Sequence, residues 1–261
     1  MKNVRPSSFS QGLLLLGALS LMAGTASAES VEVSRLPERV LLVGNSLSGG
    51  LDVTLEGLAA AGSSPMKLKV ETSISGGQVL EGLWEQQARH EQIQGGKYDR
   101  VFLQASLSKT GTAYYGGTVD TEEKFHEYAP KFDAEIRKAG AETVLFMHWQ
   151  FNEPDAMTIE EIARVYGEVA RELGVEVAPV GLAWQRAQRE MPDLELLSDS
   201  VHASATGCYL TACVFYATLF KKSPAGLAYF GWAALPPQRA AFLQRVAGET
   251  VRDYRQAPKG R

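Results

Sequence analysis

RVLLVGNSLSGGL, residues 39–51, is the stretch that decides the fold. Four apolar residues, 40–43, run directly into Gly44-Asn45-Ser46, which is the pattern of a buried strand that ends at a short polar turn. An apolar run bounded in this way is typical of a central strand in a parallel sheet. Two interpretations of the turn stay open: Asn45 and Ser46 cap a helix that begins near residue 50, or the Ser46 hydroxyl is presented for chemistry.

Beyond this stretch the chain alternates short apolar runs with amphipathic segments. Such alternation predicts an α/β fold in which helices cover both faces of a parallel sheet. In such sheets ligands bind beyond the carboxyl ends of the strands, which places Ser46 in the expected crevice. We expect strands at residues 39–44, 67–73, 99–104, 143–149 and 175–179, and helices at about 50–62, 78–93, 121–139, 158–173, 203–221 and 236–254.

The first 28 residues have the pattern of a secretory signal peptide. Lys2 and Arg5 give a basic start, an apolar run covers residues 13–24, and Ala26-Ser27-Ala28 matches a cleavage site. The apolar run is about half of the roughly 20 residues that a spanning helix needs, so we expect cleavage after Ala28 rather than a membrane anchor. The remaining residues, 29–261, are expected to form one domain that acts in the periplasm or outside the cell.

Composition excludes some classes of partner. The whole chain has 26 basic and 30 acidic residues. Without Lys2 and Arg5, 24 basic residues stand against 30 acidic ones, a net charge of −6, which argues against a nucleic-acid-binding surface. No stretch after residue 28 is apolar enough to span a bilayer. Cys208 and Cys213 are the only cysteines; their spacing on one predicted helix disfavours a disulfide, so we expect two buried thiols.

Ser46 does not fit a phosphate-binding loop. A P-loop needs Gly-x-x-x-x-Gly-Lys-Ser/Thr and a dinucleotide loop needs Gly-x-Gly-x-x-Gly, and the residues after Gly44 match neither pattern. The α/β-hydrolase elbow Gly-x-Ser-x-Gly is also absent, because Ser48 stands where the second glycine would be. A nucleophilic Ser46 would therefore belong to another catalytic arrangement.

A serine nucleophile needs a base, and the base needs a carboxylate that orients it. His90 and His126 lie in polar helical segments and are expected at the surface, whereas His148 ends a strand and could line the crevice. His202 follows Asp199 by three residues in a loop that leads into a helix. In that loop the carboxylate could hold one ring nitrogen while the other faces Ser46.

Together these residues resemble the SGNH hydrolases, the GDSL esterase and lipase superfamily. The first block of that family, Gly-Asp-Ser-Leu, is similar to Gly44-Asn45-Ser46-Leu47, and its last block, Asp-x-x-His, is similar to Asp199-Ser200-Val201-His202. Its second block places a glycine in the loop after the second strand, where this chain offers Gly76 or Gly77. The resemblance covers nearly all of the chain after residue 28.

The resemblance implies a flavodoxin-like, three-layer α/β/α sandwich with a five-stranded parallel sheet. It also implies a serine esterase in which Ser46 attacks a carboxylic ester, His202 transfers the proton, Asp199 orients His202 and an acyl-enzyme forms. The backbone N–H groups of Ser46 and of Gly76 or Gly77 would bind the oxyanion. No metal or organic cofactor is implied, and no cluster of His, Cys and Asp has ligand spacing.

The third block departs from the family pattern. The family has Gly-x-Asn-Asp, whose Asn side chain helps to bind the oxyanion. Here Gln104 falls at the glycine position and Ser106 at the Asn position. We expect Ser106 to supply the third oxyanion donor, with Gln104 as the alternative.

The expected partner is a small-molecule or carbohydrate ester, such as an acetyl or short acyl group on a sugar. Trp149, at the end of the fourth predicted strand, and Tyr114 and Tyr115, in the long loop 107–121, are expected to line its binding site. Two other functions stay open. An O-acyltransferase acting on an envelope polysaccharide would share the acyl-enzyme, and a binding module without turnover would account for the altered third block.

Overall fold

The computed structural model describes residues 36–62, 64–112, 118–154 and 156–257. The signal peptide expected at residues 1–28 lies outside them. They contain a sheet of five parallel strands: β1 (Arg39–Gly44), β2 (Lys69–Ile74), β3 (Arg100–Gln104), β4 (Glu142–Phe146) and β5 (Glu176–Ala178). The strands lie in the order β2-β1-β3-β4-β5, which is the flavodoxin-like arrangement.

Eight α-helices accompany this sheet in the described part of the chain. They are α1 (Leu51–Ala60), α2 (Leu80–Trp84), α3 (Gln87–Gly95), α4 (Glu122–Lys138), α5 (Ile159–Leu173), α6 (Val180–Glu190), α7 (Ala205–Phe220) and α8 (Pro237–Gln256). A single 3-10 turn, Ser46–Ser48, lies between β1 and α1. No helix in these ranges is both long enough and apolar enough to cross a lipid bilayer.

The sheet lies between two apolar cores because side chains alternate across each strand. Val40 and Leu42 of β1 pack in the core that α1, α6, α7 and α8 cover. Leu41 and Val43 pack in the opposite core, which α4 and α5 cover. The predicted α/β/α sandwich with a five-stranded parallel sheet is therefore confirmed.

Strand register brings the ends of the central strands to one edge of the sheet. Val43 of β1 is level with Leu103 of β3, and Gln104 is level with Phe146 of β4. The residues that follow β1, β3 and β4 therefore meet at the carboxyl edge. This edge is where a ligand crevice forms in parallel α/β sheets.

Two helical segments differ from the sequence prediction. The helix expected at 78–93 is divided into α2 and α3, because Gln86 between them has an extended backbone with ψ of 102°. Its side chain bonds Ser75 Oγ and the Gly82 carbonyl instead of continuing a helical face. Helix α6 was not expected; it starts one residue after β5 with Pro179 at its N-cap, so no polar capping side chain marks it in the sequence.

The two cysteines form no disulfide, and His90 and His126 pair with glutamates of the helices. Both thiols are free; Cys213 is buried and Cys208 is partly buried. His90 is less exposed than expected, because its ring lies between the Glu135 carboxylate and the Trp84 carbonyl. His126 is partly exposed and pairs with Glu172.

Candidate active site

The turn after β1 presents Ser46 and is capped by its neighbour. Asn45 Oδ1 accepts the Leu47 N–H at 3.2 Å, so Asn45 is the N-cap of the 3-10 turn. Ser46 is exposed, whereas Leu47 and Ser48 are buried. The two interpretations of this stretch therefore combine: Asn45 caps, the capped element is Ser46–Ser48 rather than a helix near residue 50, and Ser46 faces the crevice.

His202 is held by a turn that Asp199 organises. Asp199 Oδ1 accepts the N–H groups of Val201 at 2.8 Å and of His202 at 2.6 Å. An aspartate that bonds the backbone two and three residues ahead fixes the loop locally. Trp149 Nε1 also donates to the Val201 carbonyl at 2.9 Å, which ties the loop to the end of β4.

Ser46, His202 and Asp199 form a continuous hydrogen-bonded chain. Ser46 Oγ lies 2.9 Å from His202 Nε2, although the residues are 156 positions apart in sequence. His202 Nδ1 lies 2.8 Å from Asp199 Oδ2. When Nδ1 donates to the carboxylate, Nε2 is left as an acceptor for the serine proton.

The carboxylate of Asp199 stays ionised in this setting. Partial burial would raise its pKa, but the N–H groups of His202 and Val201 and the His202 ring together lower the pKa below its usual value. A carboxylate that is already charged can stabilise a cationic imidazole beside it. The arrangement can therefore support proton transfer from the Ser46 hydroxyl to His202.

The Gly76-Gly77 turn lies next to residues Gly44–Ser48, which we call the nucleophile turn after the role expected for Ser46. The Ser75 N–H donates to the Gly44 carbonyl at 3.1 Å, and Asn45 Nδ2 donates to the Gln78 carbonyl at 3.1 Å. Within the described residues, the N–H groups of Ser46, Gly76 and Gly77 donate to no acceptor. Three backbone N–H donors without an acceptor in the described chain thus lie close to Ser46, one on its own turn and two on the neighbouring glycine turn.

Gln104 and Ser106 lie behind the nucleophile turn. Gln104 Oε1 accepts the Asn45 N–H at 2.9 Å and the Ser48 hydroxyl at 3.4 Å, and its Nε2 donates to Ser106 Oγ at 3.0 Å. Ser106 Oγ also accepts Asn45 Nδ2 at 2.8 Å. Gln104 is 1% exposed and Ser106 is 3% exposed. This placement corrects the expectation that either side chain donates to the oxyanion, because both are buried and their polar atoms bond each other and the turn.

The position of the Gln104 side chain explains why Gly44, the last residue of β1, is a glycine. A Cβ at Gly44 would lie 2.5 Å from Gln104 Oε1 and 2.9 Å from Gln104 Cβ, far inside contact distance. Gly44 therefore provides the space through which Gln104 reaches back to the Asn45 N–H. Sequence comparison with the family pattern could not reveal this direction, because a glutamine can extend toward the crevice or away from it.

Trp149, one of the three residues expected to line a substrate site, lies in the core instead. Trp149 is 1% exposed, stacks on Trp184 with ring centroids 4.0 Å apart, and bonds the loop that carries His202. It is therefore a core residue that positions this loop, which corrects its assignment as a substrate contact. Tyr114 and Tyr115 lie outside the described residues.

Two titratable side chains near the crevice, His148 and Asp120, are buried. His148 is fully buried, donates from Nδ1 to the Trp149 carbonyl and accepts the Leu107 N–H at Nε2, so it does not line the crevice. Burial lowers the pKa of His148 to about 4, which keeps the ring neutral. Burial raises the pKa of Asp120 to about 7, although the Leu80 N–H bonds its Oδ1 at 3.0 Å.

One group of potential metal ligands forms on α4 and α5. Ligand atoms of Glu122, His126 and Glu168 lie within 4.8 Å of one another. The Arg164 guanidinium, however, already bonds the carboxylates of Glu122 and Glu168. The group is therefore accounted for as a surface ion-pair network.

Comparison with known proteins gives matches in structure alone. No family model matches the chain, and no curated protein matches it. A DUF4886 family protein from Bacteroides uniformis is similar with a TM-score of 0.67 and 17% identity over 85% of this chain and 97% of that one. A putative SGNH hydrolase from Slackia heliotrinireducens has a TM-score of 0.55 and 20% identity over 69% of this chain and 97% of that one.

The acetylxylan esterase Axe2 from Geobacillus stearothermophilus is also similar, with a TM-score of 0.58 and 16% identity over 70% of this chain and 94% of that one. Two of its structures are described as catalytic mutants, one of a histidine and one of an aspartate three positions earlier. These identities are low, so the likeness concerns the fold. The chain therefore has the SGNH-hydrolase-like fold that the resemblance in its sequence implied.

Proposed function

We propose that this chain is a serine esterase that cleaves a carboxylic ester, with an acetyl or short acyl group on a carbohydrate as the favoured substrate. The observation that carries the proposal is the hydrogen-bonded chain from Ser46 through His202 to Asp199. The spacing of Asp199 and His202 equals that of the aspartate and histidine replaced in the catalytic mutants of Axe2. A secretory peptide at residues 1–28 would deliver the enzyme outside the cytoplasm.

In the proposed mechanism, Ser46 Oγ attacks the ester carbonyl carbon while His202 Nε2 removes the hydroxyl proton. Asp199 holds the imidazolium that forms, and His202 then gives the proton to the leaving alcohol. Water then attacks the acyl carbon with His202 again as base, and His202 returns the proton to Ser46 Oγ as the bond between that oxygen and the acyl carbon breaks and the carboxylic acid leaves. Each step uses only groups that the hydrogen-bonded chain already connects.

The oxyanion of the tetrahedral intermediate would be bound by backbone donors. The N–H groups of Ser46 and of Gly76 or Gly77 have no other acceptor in the described chain. Donors that are fixed before the reaction stabilise developing charge without reorganising. We therefore assign no side-chain donor from the third block.

Kinetics on 4-nitrophenyl acetate test this proposal. Ser46→Ala and His202→Ala should each lower kcat by roughly 10⁴-fold, and the double variant should be little worse than either, because the residues act as a unit. Ser48→Ala is the matched control, since Ser48 belongs to the same turn but is buried. Full activity in the Ser46→Ala variant, or loss confined to Ser48→Ala, would refute the assignment.

A burst of nitrophenol before steady state would distinguish the esterase from a binding module, which forms no acyl-enzyme. Hydrolysis and acyl transfer share that intermediate and differ in the acceptor. Product analysis with added oligosaccharide therefore separates them: free acetate supports the esterase, and an acetylated acceptor supports the transferase.

A further inference from the structure

We propose that Trp232 is a sugar-stacking platform at the rim of the active site, where it binds a pyranose ring of the carbohydrate that carries the ester. This proposal rests on the proposed function. Trp232 is 63% exposed and Phe230, two residues earlier, is 37% exposed. Such exposure is unusual for tryptophan, because burial of an indole side chain is strongly favourable.

Trp232 lies in the loop 221–236 between α7 and α8. This loop runs along α1 and α7 toward the nucleophile turn. Leu227 lies 3.7 Å from the position of a Cβ at Gly62, just beyond the end of α1. The Tyr229 ring packs directly against Gly57, in the middle of α1. Gly231 contacts the ring of Tyr209, in the first turns of α7. The loop therefore approaches the carboxyl edge of the sheet as it nears Trp232.

Short contacts connect the tip of this loop to the nucleophile turn. Gly231 is next to Trp232 and contacts Tyr209. Cys208, the residue before Tyr209, has its Sγ 3.9 Å from the Gly49 carbonyl oxygen. Gly49 follows Ser46 by three residues, so this series of contacts places the backbone beside Trp232 near the nucleophile turn.

The loop is held in place although its tip is exposed. Tyr209 Oη donates to the Tyr229 carbonyl at 2.5 Å, and Gln244 Nε2 donates to Tyr209 Oη at 2.8 Å and to the Leu227 carbonyl at 2.9 Å. The tip closes with a hydrogen bond of 2.9 Å from the Leu235 N–H to the Phe230 carbonyl. A rigid aromatic surface binds a ligand with little loss of conformational entropy.

The exposure of these aromatic side chains favours a sugar over an acyl chain. An indole face that is open to solvent can cover one face of a pyranose ring, whose C–H groups point at the electron-rich ring while its hydroxyls stay in water. A long acyl chain would gain little there, since its favourable transfer depends on enclosure by apolar walls. The exposed aromatic residues therefore match a ligand with one apolar face and a polar edge.

Binding of unesterified sugars tests the platform without using catalysis. The probes are xylotetraose, cellotetraose and chitotetraose, titrated into the Ser46→Ala variant while tryptophan fluorescence is recorded. At least one should change the fluorescence, and Trp232→Phe in the same background should retain binding measured by calorimetry. Trp232→Ala should weaken that binding about tenfold, which corresponds to about 1.4 kcal/mol.

Kinetics on two esters then place the platform in the active site. With Ser46 present, Trp232→Ala should raise KM about tenfold for an acetylated oligosaccharide of the type that binds, with kcat unchanged, because the contact is the same in ground and transition states. The rate on 4-nitrophenyl acetate should stay within about twofold. Leu36→Ala is the control, since Leu36 is also an exposed apolar residue but precedes β1 at the opposite edge of the sheet.

Three results would overturn the platform. They are the absence of binding for all three sugars, an equal effect of Trp232→Ala on both esters, and, in a parallel assay of 4-nitrophenyl palmitate, a loss confined to that long-chain ester, which would indicate a lipid contact. If Ser46→Ala keeps full esterase activity while the sugars still bind through Trp232, the esterase mechanism fails and the platform stands. The two ideas are therefore separable.

Discussion

The hydrogen bonds of Gln104 predict that its loss weakens the nucleophile turn. In a Gln104→Ala variant the buried Asn45 N–H loses its acceptor at 2.9 Å, and Ser106 Oγ loses one of its two donors. An unsatisfied buried group costs about 1–3 kcal/mol, and the cavity left by the side chain adds to this. The Ser48 contact of 3.4 Å is long and contributes little. We expect the free energy of unfolding to fall by about 3 kcal/mol.

Urea denaturation followed by circular dichroism measures this loss, and the melting temperature should fall by about 6–12 °C for a domain of this size. On 4-nitrophenyl acetate, kcat should fall by roughly tenfold with KM nearly unchanged, because Ser46 loses its alignment while substrate contacts remain. Gln87→Ala is the matched control. Gln87 is exposed, and among the described residues its side chain bonds Glu91 alone, so its loss should change stability by less than about 0.5 kcal/mol.

The opposite pattern would refute this reasoning. If Gln104→Ala keeps its stability within about 1 kcal/mol while kcat falls by roughly 10²-fold or more, the amide acts on the oxyanion and not on the turn. Ser106→Ala gives an independent check, because it removes the acceptor of both Asn45 Nδ2 and Gln104 Nε2. It should lower stability by about 1–3 kcal/mol and share most of its effect with Gln104→Ala in the double variant.

Three further predictions concern stability and export. Gly44→Ala should lower the free energy of unfolding in urea by about 1–3 kcal/mol, because the new Cβ would overlap Gln104. Gly76→Ala should be near neutral, because the space around its Cβ is open; equal effects of the two variants would contradict the packing argument. Protonated Asp120 stabilises the folded state at low pH, and this contribution is lost as the pH rises through about 7. The free energy of unfolding of the native protein should therefore fall relative to Asp120→Asn by up to about 1.4 kcal/mol per pH unit between pH 5 and 7, and parallel curves would argue against a raised pKa. Mass spectrometry of exported protein should show a chain that begins at Glu29; an intact Met1 on membrane-bound material would contradict cleavage.

Local patterns in the sequence predicted the five strands and the turns that carry Ser46, Asp199 and His202. A run of apolar residues bounded by polar turns determines a buried strand through burial alone. The predicted and observed bounds of β1 therefore agree at both ends. The Asp199 turn is equally local, because its carboxylate bonds backbone groups two and three residues ahead. Such features need no knowledge of distant contacts.

Features that depend on long-range contacts could not be predicted in the same way. The break between α2 and α3 follows from bonds of Gln86, one of which reaches back to Ser75. The burial of Trp149 depends on its stack with Trp184 in α6, a helix that the sequence did not reveal. The direction of Gln104 depends on the space left by Gly44, 60 positions earlier. Each of these outcomes is decided by a partner that residue type and spacing do not identify.

Asn45 connects the two turns on which the proposed oxyanion site depends. Its N–H bonds Gln104, its Nδ2 bonds both Ser106 and the Gln78 carbonyl, and its Oδ1 caps the turn that presents Ser46. The backbone donors of Ser46 and of the glycine turn are therefore positioned by one buried side chain. Fixed geometry is what allows backbone N–H groups to stabilise an oxyanion, because any movement during the reaction would cost part of the gain. Gln104 and Ser106, the residues of the third block, thus contribute to the proposed site by holding Asn45 in place. The absence of the family's Asn at position 106 is therefore compatible with turnover.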